Sequence, residues 1–136
     1  MKEGWINDDY LILFEGSEVA LMTDAYCIKD FIPQYRLVAI SGWDNFIIIN
    51  ENDEQFKIPT VPLVQQYIEK HDVSYDSSQL VSDSKFAGKI KWYTKPIVFG
   101  GDPNINENMT WIDIHTHQQL VRWWNEKYRD VSGKKP

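Results

Sequence analysis

The run Phe46-Ile47-Ile48-Ile49 constrains the fold most. Four consecutive apolar residues, three of them β-branched, suit a strand covered on both faces, and they leave no polar side for a surface strand. Asn50 to Glu54 follows as a polar loop of hairpin length, and Gln55-Phe56-Lys57-Ile58 then alternates, as a strand with one wet face should. The pair reads as an antiparallel hairpin. Upstream, Tyr10 to Phe14 stops at Glu15-Gly16, Val19 to Met22 is another short apolar run, and Tyr35 to Ile40 ends at Ser41-Gly42. All three are read as short strands, so an antiparallel meander is the simplest topology. Pro33 should close the segment Asp30 to Ile32, because the residue before a proline is pushed out of the α region.

After Pro59 the period changes. Leu63 with Tyr67 and Val64 with Ile68 are spaced i, i+4, which predicts a helix from about Pro62 to His71. Asp72 to Ser84 reads as a loop or a poorly ordered excursion, Lys89 to Tyr93 and Pro96 to Phe99 as strands or extended segments, and Gly100 to Asn104 as a turn. Thr116 and Gln119 match a capping box, and Leu120, Val121, Trp124 and Tyr128 form one apolar stripe. A C-terminal amphipathic helix is therefore expected over His117 to Arg129, with residues 130–136 as a frayed tail. At 136 residues, 43% of them hydrophobic, the chain is one domain. The expected class is α+β: a single, largely antiparallel sheet with flanking helices.

Charge narrows the function classes. Between Met1 and Glu54 stand eleven Asp or Glu against three Lys or Arg, and the rest of the chain is slightly basic. Phosphate recognition needs clustered Lys and Arg, so direct nucleic-acid binding by the acidic part is disfavoured. A partner protein with a basic surface fits better, because opposite fields speed encounter. The alternative is a solvated acidic face that only aids solubility. Apolar runs are too short to span a membrane and no leader is evident, so a cytoplasmic protein is expected. Cys27 is the only cysteine, which excludes an intramolecular disulfide. Its apolar neighbours favour burial over reactivity.

Chemistry-bearing patterns are few. Asp113, His115 and His117 alternate, and on a strand all three would share one face within reach of zinc or iron. A helix starting at Thr116 would instead turn His117 away from His115, which favours structural or capping roles, and no metal or catalytic set is assigned. Gly100-Gly101-Asp102-Pro103 lacks the spacing of a phosphate loop. Trp92, Trp111, Trp123 and Trp124 lie in apolar neighbourhoods and are expected in or near the core. Trp43, at a turn between Gly42 and Asp44, suits either an interface anchor or a half-buried lid.

Two stretches resemble a known family. Tyr26-x-Ile28 through Pro33, Ile40-Ser41-Gly42, Phe46 to Ile49 and Ile58-Pro59 resemble the middle of the SUKH superfamily, bacterial toxin-immunity proteins related to a fungal cell-wall-synthesis regulator. Lys95 to Pro103, with Trp111, His117 and Leu120 to Asn125, is similar to the C-terminal ends of some bacterial members. Family members usually open with helices carrying a Leu-Pro-x-x-Tyr-like segment, and Trp43 stands where a small residue or Asp is usual, so the resemblance is to a truncated or divergent member. It implies an α+β fold and a binding function that neutralises a cognate toxin without catalysis or cofactor. On that reading Asp8, Asp9, Trp43 and Asp44 are the candidate partner-binding residues. The competing expectations are a small metal-dependent enzyme using Asp113, His115 and His117, and a regulatory scaffold module.

Overall fold

The structure is a computed structural model that describes residues 1–71 and 77–131. Its centre is the expected meander. Strands β1 (Lys2–Ile6), β2 (Asp9–Leu13), β3 (Arg36–Ser41), β4 (Asn45–Ile49), β5 (Gln55–Pro59) and the two-residue β6 (Glu69–Lys70) lie in chain order, each antiparallel to the next. A separate antiparallel ribbon joins β7 (Ile90–Tyr93) to β8 (Met109–Ile112). Helices α1 (Glu18–Ala25) and α2 (Ile28–Phe31) connect β2 to β3, and α3 (Ile114–Val131) closes the described chain. The class is α+β, as expected.

Strand β4 is covered on both faces. Phe46 and Ile48 enter the main core with Tyr10, Ile12, Tyr26, Leu37, Ile58 and Val121, while Ile47 joins Leu11 and Ala39 on the opposite face, where Leu80 packs against them. Burying apolar atoms on both sides gives the central strands their stability at about 25 cal/mol per Å² removed from water. At the sheet's edge Trp5 and Val81 exchange backbone hydrogen bonds of 2.8 and 2.9 Å. Gly4 permits that approach, since a Cβ there would lie 2.7 Å from the Val81 carbonyl oxygen.

Four elements differ from the sequence reading. Val19 to Met22 lies in α1 rather than in a strand; Thr23 ties that helix to β3, its hydroxyl donating to the Val19 carbonyl (2.7 Å) and accepting from the Leu37 amide (2.9 Å). The segment Pro62 to His71 is not a helix. It starts at the cis Val61–Pro62 bond, makes one 3₁₀ turn over Gln65–Tyr67, and is then drawn into pairing with β5 through Phe56 and Lys70. Tertiary hydrogen bonds override the i, i+4 spacing. Ile97–Phe99 is a 3₁₀ turn rather than a strand, ended by Gly100 at φ 91°. Helix α3 begins three residues early because Asp113, not Thr116, caps it: the Asp113 carboxylate accepts from the Thr116 amide at 2.8 Å. Helix α2 does end before Pro33, with Ile32 out of the α region at φ −136° and ψ 79°. The loop expected over Asp72 to Ser84 lies partly outside the described residues, as does most of the tail; Cys27 is only half-buried.

The inner face of α3 presents His117, Val121 and Asn125, all buried and spaced i, i+4, i+8. Asn125 is fully used: its Oδ1 accepts from the Leu63 amide (2.6 Å) and its Nδ2 donates to the Thr60 and Val121 carbonyls (2.9 and 2.8 Å). His117 shares a 2.6 Å hydrogen bond with the Tyr26 hydroxyl and packs edge-on to Trp92 and Phe46. Burial pushes the imidazole down to about 3.

Two outcomes are expected. Asn125→Ala strands the Leu63 N–H and the Thr60 C=O, each costing about 1 to 3 kcal/mol, so denaturant unfolding should show a loss of roughly 2 to 4 kcal/mol. His117 is neutral in the fold but takes a proton near pH 6.5 when unfolded. Its contribution is therefore present above pH 6.5 and is lost as pH falls from 6.5 toward 3. Between pH 6.5 and 5 that amounts to about 2 kcal/mol, and the pH dependence should flatten in His117→Gln when both proteins are unfolded in urea across this range.

Candidate functional site

Both hairpin turns on one end of the sheet carry acids. Asp8 sits in the β1–β2 turn, which Asn7 makes tight by adopting φ 54°. Asp9 opens β2, and Trp43 and Asp44 form the β3–β4 turn with Gly42, whose φ is 60°. The register Leu11 to Ser41 and the 2.8 Å bond from the Gly42 amide to the Tyr10 carbonyl set these two turns side by side. The four candidate residues, more than thirty positions apart in sequence, thus share one end of the molecule. Asp8 and Asp9 are exposed there; Trp43 and Asp44 are half-buried.

Trp43 is the lid of an aromatic cluster. It stacks on Tyr10 with ring centres 5.2 Å apart and planes 13° apart, and meets Trp5, Phe86 and Trp111 at 5.9, 5.5 and 5.2 Å. Aromatic pairs of this kind add about 0.5 to 1.5 kcal/mol beyond area burial. Two polar tips are satisfied at the margin: the Tyr10 hydroxyl donates to Glu3 at 2.5 Å and the Trp5 indole to Asp83 at 3.1 Å. Burial, reinforced by Glu3, pushes the Tyr10 phenol far up, while the Lys85 amide and the Trp5 indole hold the Asp83 carboxyl low. Of the four tryptophans expected in or near the core, Trp92 is buried and Trp124 packs against the core, but Trp111 and Trp123 are exposed. Trp111 lies at the rim of the aromatic cluster, against Trp43 and Phe86, and Trp123 lies on the outer face of α3.

Lys91 reaches this end from β7. Its ammonium lies 3.9 Å from the Asp44 carboxylate and over the rings of Trp43 and Tyr93, at 5.7 and 5.2 Å. The alternation of β7 explains the placement, since Ile90 and Trp92 enter the core while Lys91 and Tyr93 stay at the surface. That period-2 signal was present in the sequence; its partner across the ribbon was not.

Beside Asp44 the surface sinks into a groove of about 320 Å³. The corner from Pro59 to Pro62 and Tyr67 form one wall; Tyr93, Pro96, Ile97 and Val98 form the other. A second, more polar cleft of about 450 Å³ lies between α3 and the 3₁₀ turn over Gln65–Tyr67, where the Arg129 guanidinium donates to the Asp30 carbonyl and covers Phe31.

The alternating acid and histidines do not converge. Asp113 is spent on the cap of α3, the Thr116 amide holding its carboxyl low; His115 is exposed on the first turn, and His117 is sealed in the core against Tyr26. Among the described residues, no three His, Cys, Asp or Glu side chains are grouped to hold a metal ion. None of the described helices is long and apolar enough to cross a membrane. No protein family matches the chain, and no significant match to it is found among curated proteins or solved structures.

Proposed function

We propose that this chain is a non-catalytic, immunity-type binding protein that neutralises a cognate toxin by protein–protein contact. The observation that carries the reading is the meeting of Asp8, Asp9 and Asp44 at one end of the sheet, beside an aromatic cluster that gives the surface a rigid floor. A basic toxin surface would be steered to that end and held there by apolar contact around Trp43 and Trp111. The resemblance to the SUKH immunity proteins points the same way.

The test uses the protein encoded next to this one and a kinetic binding assay at two salt concentrations. Replacing Asp8 and Asp9 together with Lys should slow association roughly tenfold or more at low salt and flatten the salt dependence. Stability should hardly move, because exposed charges contribute about 0 to 1 kcal/mol. Unchanged association by the doubly reversed variant would reduce the acidic end to a solvated surface.

A further inference from the structure

The groove beside Asp44 is open to solvent along one side and apolar for most of its length. Tyr67, Ile97 and Val98 are 41%, 52% and 39% exposed around this one concavity, which sets them apart from the single apolar residues scattered over any surface. Its lining includes the Asp44 carboxylate, whose side chain is 43% exposed and so open to an incoming donor. Among the described residues the Asp44 side chain accepts no hydrogen bond, and its nearest cation is Lys91 at 3.9 Å, beyond hydrogen-bond reach. Burial pushes the Asp44 carboxyl up from its ordinary value, with Lys91 pulling the other way. The Lys91 ammonium is shared with the rings of Trp43 and Tyr93, and it leaves the exposed part of Asp44 open.

We propose that this groove takes an extended segment of the partner protein in which an arginine is flanked by apolar or proline residues. The guanidinium closes on Asp44, and the flanking side chains lie against Tyr67, Ile97 and Val98. Arginine suits Asp44 better than lysine, because its planar fork pairs with both carboxylate oxygens. The identity of the segment's owner rests on the toxin-binding reading. The chemistry of the groove does not.

The experiment titrates the isotope-labelled protein with a synthetic pool of hexapeptides having a fixed central arginine among leucine, valine and proline positions. A matched pool carries glutamate at the centre. The arginine pool should shift resonances of Tyr67, Tyr93, Ile97 and Val98, and the glutamate pool should not. Asp44→Asn and the surface change Ile97→Glu should each weaken binding at least tenfold, with urea midpoints confirming that both variants fold. Silence from the arginine pool, equal shifts from the glutamate pool, or a concentration-dependent dimer abolished by Ile97→Glu would overturn the proposal. The two readings fail separately. Peptide binding in the groove, with the Asp8 and Asp9 reversal leaving toxin association unchanged, removes the acidic steering alone. Slowed association in that reversal, with no effect of Ile97→Glu on toxin binding, removes the groove alone.

Discussion

The amide of Asn125 holds together parts of the chain that lie more than sixty residues apart. Helix α3 buries Asn125 one turn beyond Val121, and the corner after β5 offers two backbone groups that no strand can pair. Each is costly alone and cheap together, because a buried donor or acceptor without a partner loses its water for nothing. This exchange fixes where the chain turns away from the sheet after Pro59. It also sets one wall of the groove, since the Pro59–Pro62 corner is the segment that Asn125 grips. The groove therefore inherits its shape from the core.

The same end of the sheet shows how folding and recognition compete. Trp43 serves the fold by stacking on Tyr10, and its indole nitrogen is buried with no hydrogen-bond partner among the described residues. Asp44, one residue on, is half-buried beside a lysine that leans on the neighbouring rings. A fold selected for stability alone would replace both polar groups with apolar ones of the same shape. On the proposed reading, this end gives up some stability for contact with a partner.

What could be read from the sequence was whatever is written in a local period. The β-branched run at Phe46 to Ile49, the alternation of β5 and the stripe Leu120, Val121, Trp124 and Tyr128 all carry their structure within a few residues, and they folded as expected. Val19 to Met22 and Pro62 to His71 did not, because their outcome depends on partners far along the chain: the Leu37 amide for one, β5 and Asn125 for the other. The candidate site divides in the same way. Asp8, Asp9 and Asp44 are visible as charges, but their proximity is a matter of strand register. The groove was invisible, since its walls come from residues 59–67 and 92–98 and nothing local links them.

The contact of Val81 with Gly4 and Trp5 has a consequence for the crowded cell rather than for binding. An open β1 would expose a row of unpaired N–H and C=O groups, ready to recruit the edge of another molecule. Val81 takes up the Trp5 amide and carbonyl, which breaks that row at its middle. At the far edge β6 is only Glu69 and Lys70, too short and too charged to template another strand. A six-stranded sheet with an apolar residue run at its centre is in this way kept from growing into a longer one.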